Sequence, residues 1–316
     1  MEAADALAAE AGAAAVGAGA MMFSVIVPTR NRPEALARCL ASLSRLDYAA
    51  GDWELIVVND GGESWETAVS PDLLNSLPLQ TITISHAGPA AARNAGARLA
   101  HGRYLAFTDD DCAVEPDWLA RLTDGFTQTG AQALGGQRRN PFPEHGAAVG
   151  AQHLVDFLYA HMQTADGCPV LLVANNAAYE TEVFRQIGGY DETFRLAAAE
   201  DWEIGYRLLA AGFRQAYSPA AQVTHFHRQT WRGHWKQQFR YGRGGALLHR
   251  RIAFLSLQLA ERRPFYQALF LYLRAQRVSM PVIAGVLAGQ LAYRVGKMGQ
   301  SMPTGRDAPQ TAVTSK

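Results

Sequence analysis

The stretch LAFTDDDCAVEPDW, residues 105–118, sets three aspartates in a row at the point where an apolar run stops. Adjacent carboxylates repel one another, so the arrangement points to a cation that makes it favourable. A short apolar run closed by polar residues reads as a buried strand. In open α/β sheets the carboxyl ends of such strands are where ligands gather. The fold therefore turns on whether other strands end in the same way.

They do. FSVIVP, from Phe23, runs into PTRNRP, with a helix opening at Pro33, whose fixed φ suits a first helical turn. WELIVVND runs into NDGGES. Further apolar runs follow at LQTITI, RYLAFTD and AQALGG, separated by the helical stretches GPAAARNAGARLAHG and EPDWLARLTDGFTQTG. Short apolar runs alternating with helices predict an α/β fold, a mainly parallel sheet covered on both faces. Taken singly, the polar clusters are ordinary turns, because Asn, Asp, Gly and Pro punctuate loops everywhere. Their convergence on one sheet edge is what gives them a functional reading.

A second unit follows the glycine pair at Gly135 and Gly136, with Pro141 and Pro143 marking the connection. VLLVANNAAYETEVFRQIGGYDETF reads as a strand and a short helix that stops at Gly188 and Gly189. EDWEIGYRLLAAG then spaces Trp202, Tyr206 and Leu209 along one helical face, with Gly212 as its stop. Beyond Phe226 the chain turns helical, basic and aromatic.

A chain of 316 residues, 48% hydrophobic and 18% charged, buries a substantial core and is not a disordered protein. Its formal net charge is zero, yet from Arg228 to Arg277 eleven Lys/Arg stand against the single acid Glu261. A solvated face is the plain account; an anionic partner, a diphosphate or a lipid headgroup, is the other. Between Pro264 and Tyr293 two apolar stretches, PFYQALFLYL and VSMPVIAGVLAGQLAY, are parted by Arg274 and Arg277. Each falls short of the about twenty apolar residues of a spanning helix. The preceding segment, with Trp231, Trp235, Arg240, Arg243, Arg250 and Arg251, has the composition of an interfacial element. Peripheral contact with the inner membrane face is one expectation; packing on the catalytic domain or on a second subunit is the alternative. No stretch resembles a nucleic-acid module. Cys39, Cys112 and Cys168 lack zinc-site spacing and fit a reducing cytoplasm. The first twenty residues have neither the cationic start nor the apolar centre of a signal peptide, and read as a disordered tail or an upstream misassigned start.

The ordered set VIVPTRNR, VVNDGG, GPAAARNAG, FTDDDC, GGYDE and AAEDWEIGYRL, spanning Phe23 to Tyr241, resembles the family 2 glycosyltransferases of the GT-A fold. The resemblance implies transfer of a hexose from a nucleotide-diphosphate donor, a UDP-sugar first, to a hydroxyl of a glycan or lipid-linked acceptor. It implies inversion at the anomeric carbon, and a place in cell-surface polysaccharide or glycolipid assembly. By similarity, Pro28, Thr29 and Asp60 line the base and ribose, Arg93 lies near the base or diphosphate, and Asp109 and Asp110 face the donor. Asp109 and Asp111, the ends of the DxD motif, hold Mn2+ or Mg2+, with His225, rather than His227, completing the metal sphere. Asp201 is the candidate base and Glu200 its orienting neighbour, although acids in a first helical turn are favoured by the helix dipole anyway. Gly188 to Asp191 look like the acceptor-side loop. Where family members commonly read Asp-Asp-Gly-Ser, this chain has Asn59, Asp60, Gly61 and Gly62, which bears on nucleotide selectivity.

The layout expected is a disordered tail over 1–22, a GT-A domain over 23–227 with a nucleotide and metal half (23–136) and an acceptor half (137–227), a basic helical extension over 228–300 and a second tail over 301–316. A homo-oligomer is left open. A nucleotidyltransferase is the competing enzyme, but its glycine-rich, lysine-bearing first loop is missing from VPTRNRP. A catalytically inactive sugar-nucleotide-binding scaffold is the competing non-enzyme.

Overall fold

The computed structural model describes residues 21–227, 229–253, 255 and 264–299. The tails expected over 1–20 and 301–316 lie outside these residues. Met21 and Met22, assigned above to the leading tail, are hydrogen-bonded as a lead-in to the first strand, the Met22 amide donating to Asp52 and the Met22 carbonyl accepting from Tyr104.

Four strands, β1 (Phe23–Thr29), β2 (Trp53–Asp60), β3 (Leu79–Ile84) and β4 (Tyr104–Thr108), form the parallel half of the sheet. Their side chains alternate between two cores. Val25, Val27, Leu55 and Val57 face one, where α1 (Pro33–Leu43) brings Leu36, Leu40 and Leu43. Ile26, Ile56 and Val58 face the other. After α2 (Pro71–Asn75), α3 (Pro89–Leu99) covers this second face with alanines and Gly96. A Cβ on Gly96 would come within 2.6 Å of Ile26 Cγ2, so the small residues let this helix lie close on the sheet.

The remaining strands are β5 (Cys112–Val114), β6 (Ala133–Arg139), β7 (Asn176–Glu180) and β8 (Gln215–His225), giving one eight-stranded sheet in the order β3-β2-β1-β4-β7-β6-β8-β5. Here the sheet becomes mixed: β7 runs antiparallel to both β4 and β6, and β5 antiparallel to β8. Between the strands lie α4 (Trp118–Thr129), α5 (Gly146–His161), α6 (Thr181–Gln186) and α7 (Glu200–Ala210). The apolar residues 170–174, read above as the start of a strand, are buried, Val173 only partly, and lack ladder pairing; the strand begins only at Asn176. Asn176 explains the offset. Its buried amide accepts from Trp118 Nε1 at 2.9 Å and donates to the carbonyls of Gln137 and Ala221, across the register shift between β6 and β8.

Three further helices, α8 (Trp231–Ile252), α9 (Phe265–Ala275) and α10 (Met280–Met298), pack against α5 and α7. α8 and α10 lie side by side in close approach. A Cβ on Gly242 would strike the Tyr293 carbonyl, and one on Gly296 the carbonyl of Phe239. Between them His234 is completely buried, with neither ring nitrogen hydrogen-bonded among the described residues. Burial, then His227, pushes its pKa down to about 4. The unfolded chain takes up this proton near pH 6.5 and the folded chain does not, so stability is lost as pH falls from 6.5 toward 4. The expected loss from this group is on the order of 3 kcal/mol. Thermal melts of wild type and His234→Leu across pH 7.5 to 4.5 check it: the wild type should lose markedly more Tm than the variant, and parallel curves would refute it.

Candidate active site

The parallel pairing of β1 with β4 brings the loop after Thr29 beside the triple aspartate. Thr29 donates its hydroxyl to Asp110 Oδ2 at 2.8 Å. Arg32 donates Nε to the same oxygen at 3.2 Å, Nη2 to Asp110 Oδ1, and Nη1 to Asp111 Oδ2 at 2.8 Å. Burial pushes Asp110 up to about 6 against the opposing pull of Arg32 and Thr29. Burial works the same way on Asp111, but the His225 hydrogen bond and charge, with Arg32, hold that carboxyl well below the usual range.

His225 reaches Asp111 because β5 pairs antiparallel with the end of β8, Cys112 opposite His225, and the Phe226 amide donates to the Asp111 carbonyl at 2.8 Å. His225 Nε2 lies 3.3 Å from Asp111 Oδ1. His227 stacks on His225, with ring centroids 5.3 Å apart and planes 9° from parallel. One ligand atom from each of Asp111, His225 and His227 lies within 4.8 Å of the others. Burial, then His225, pushes the pKa of His227 down to about 4, so its imidazole is neutral at pH 7, the form that binds metal. One carboxylate and two imidazoles suit a divalent ion that accepts nitrogen; Mn2+ fits this set better than Mg2+, which favours oxygen.

Asp109 has another partner. Arg93, buried on α3, donates Nη2 to Asp109 at 2.8 Å and Nη1 to Glu200 at 3.2 Å. Burial opposes its charge, but Asp109 and Glu200 hold the guanidinium protonated. Arg93 thus joins the end of β4 to the start of α7. Glu200 also accepts from the Ala198 amide at 2.8 Å, and burial raises its pKa. Ala199, immediately before α7, sits at φ 76°, in the left-handed region that a residue with a Cβ occupies at a cost of roughly 1–2 kcal/mol. Half-buried Asp201 follows in the first helical turn, its pKa pushed up to about 7 by burial and then by the charge of Glu200.

A cavity of about 730 Å³ joins these groups, with Arg93, Asp109, Asp111, Asp201, His225 and His227 in its wall. Apolar residues of α5 and polar and cationic residues of α8 and α10 close the far side. Pro28, Thr29 and Asp60 are not among its described lining residues. Asp60, buried at the end of β2, accepts from the amides of Ala87 and Gly88 at 2.7 and 3.0 Å and lies 2.8 Å from His86 Nδ1. It thereby holds the loop that leads into α3. Gly88, at φ 98°, abuts the Arg195 carbonyl and leaves no room for a Cβ. Asn59 accepts from the Gly62 amide and donates to the carbonyls of Gly62 and Glu63; an ionised aspartate could reproduce only the first of these bonds. The loop from Gly188 to Asp191 is held by Asn94, which pairs with both backbone polar groups of Tyr190, and by Arg251, 3.2 Å from Asp191.

Sequence reasoning passed over Arg32 and set His227 aside. Arg32 stood in the quoted PTRNRP without a role. For His227 there was a signal: residues two apart at a strand end point the same way, so a side chain at 225 brings the one at 227 with it.

The sequence profile described as Glycosyl transferase family 2 matches residues 24–188 of this chain. The chain belongs to glycosyl transferase family 2. The pre-mycofactocin glycosyltransferase of Mycobacterium tuberculosis is 29% identical over 235 residues, covering 71% of this chain and 47% of that protein. The chain spans about half the length of the curated relatives it matches. Among solved structures, the mannosyltransferase PcManGT from Pyrobaculum calidifontis, in complex with GDP-Man and Mn2+, superposes with a TM-score of 0.60 at 17% identity, covering 93% of this chain and 90% of that one. S. aureus TarS 1-349 in complex with UDP gives 0.55 at 17% identity, covering 88% and 91%. These likenesses establish the GT-A fold of this family 2 chain, its mixed sheet included.

Proposed function

We propose that this chain transfers a sugar from a nucleotide-diphosphate donor, with UDP-sugars first among the candidates, to a hydroxyl of a glycan or lipid-linked acceptor, inverting the anomeric carbon. Such a reaction belongs to cell-surface polysaccharide or glycolipid assembly on the cytoplasmic side. The observation that carries the reading is Asp201, with a pKa near 7, sharing one cavity with the cluster of Asp111, His225 and His227. A base is most effective when its pKa lies near the working pH.

Asp111 and His225, joined by His227, would hold a divalent ion, Mn2+ before Mg2+; Asp109 and Asp110 stay on the donor side. When bound, the ion supplies Lewis-acid stabilisation of the departing diphosphate. Arg93 adds a fixed cation beside Asp109, and its Nε has no partner among the described residues. Pro28, Thr29 and Asp60 shape the base and ribose side, Asp60 through the loop it holds. Asp201 takes the proton of the acceptor hydroxyl as the oxygen attacks from the face opposite the leaving diphosphate. Glu200 keeps Arg93 charged and Asp201 oriented.

A thermal-shift titration with UDP and GDP, each with and without Mn2+, tests the reading. At a hundred times Kd a ligand of the folded state contributes about 2.7 kcal/mol, roughly 5–10 °C in Tm for a domain of this size. The expected result is a shift that needs nucleotide and Mn2+ together; no shift with any nucleoside diphosphate would overturn it. Donor binding without hydrolysis or transfer would favour the inactive scaffold instead.

A further inference from the structure

We infer that the outer face of α10 and the adjoining turns of α8 form a docking surface for an anionic lipid bilayer. On α10, Ala284, Ala288, Leu291, Val295 and Met298 recur at steps of four, three, four and three residues, and every one is exposed. Leu291, Val295 and Met298 are 62%, 53% and 72% accessible, which is unusual for large apolar side chains on one helix. The opposite side of the helix is fully used: Gly289 lies against His234, Gly296 against Phe239, and Val286 over Gly150 of α5. Trp235 and Phe239, one turn apart on α8 and 39% and 42% exposed, continue the apolar face. The first donates its indole to the Gly285 carbonyl at 3.0 Å, and the second abuts Gly296, so both sit at the α10 seam.

The charge around this face decides what covers it. Every Asp, Glu, Lys or Arg among the described residues from 229 to 299 is a Lys or an Arg. Arg232, Lys236 and Arg240 are exposed on α8 beside the two aromatic residues. A second copy laid on this face would bring like charges together, which disfavours self-association. An anionic membrane surface matches both halves: cations meet headgroups while aromatic and aliphatic side chains enter the interface. No helix among the described residues is long and apolar enough to cross a membrane, so the contact is one of lying on the surface.

The reading is independent of the proposed transfer reaction and is tested without donor or acceptor. The full chain is mixed with vesicles of phosphatidylcholine alone, or with phosphatidylglycerol added, and floated at 0.05 M and at 0.5 M salt. Binding is expected to the anionic vesicles only, at least roughly tenfold weaker at the higher salt. Leu291→Gln with Val295→Gln, and separately Arg232→Glu with Lys236→Glu, should each weaken it roughly tenfold or more while the proteins stay folded by circular dichroism. None of these four residues lines the cavity. Failure of the folded wild type to float, or equal binding to neutral vesicles at both salts, would overturn the inference. So would a dimer that Leu291→Gln with Val295→Gln dissolves, in a protein that binds no vesicle; the face would then be an interface between copies.

Discussion

Asp201→Asn should lower kcat by roughly a hundred- to ten-thousandfold, the usual contribution of a positioned base, and leave nucleotide and Mn2+ affinity within about twofold by calorimetry. The amide keeps the shape and the hydrogen bond from the Trp202 amide, but it cannot take a proton. A wild-type-like turnover would end the assignment. The same residue sets an acid limb: with a pKa near 7, kcat/KM should rise about tenfold per pH unit below 7 and level off above it, and the variant's residual rate should lack that limb. Stability moves the opposite way. A carboxyl whose folded pKa is raised contributes stability that is complete below its unfolded value near 4 and is lost as pH rises through about 7. Asp201→Asn should therefore melt above wild type at pH 8 and lose that advantage by pH 5.

Asp111→Ala should weaken Mn2+ binding at least roughly a hundredfold and make nucleotide affinity indifferent to the ion, because it removes the one carboxylate among the three clustered ligand atoms. His225→Ala and His227→Ala should move affinity in the same direction, while Asp109→Asn, whose carboxylate faces Arg93, should affect donor affinity more than ion affinity. Calorimetric titration of Mn2+ with and without UDP separates these outcomes. Equal Mn2+ affinity in wild type and Asp111→Ala would remove the metal from this position.

The strand ends were legible because buried strands are apolar runs and the loops that follow them are polar; Thr29 and Asp60 close β1 and β2, and Asp109 follows β4. Strand direction was not, because an apolar run carries no arrow: β5 and β7 run antiparallel through pairings that no local pattern announces. The helical stretch holding Arg93 was readable, but not that its guanidinium would be shared between Asp109 and Glu200, since that depends on α7 arriving from more than a hundred residues away. α10 is apolar around most of its circumference, so its sequence could not say which side would be covered. Only the seam with α8 and α5 leaves Leu291, Val295 and Met298 outside.

The pairing of Cys112 with His225 has a consequence for the order in which the protein is made. The aspartates leave the ribosome more than a hundred residues before the two histidines, and β8 can close on β5 only once α7, with Asp201, has also been synthesised. An unfinished chain ending before β8 carries Asp111 and yet lacks the two imidazoles that stand beside it in the finished fold. Because β8 is the last strand among the described residues to be translated, the cluster of Asp111, His225 and His227 is completed late, after α7 with Asp201 has already been made.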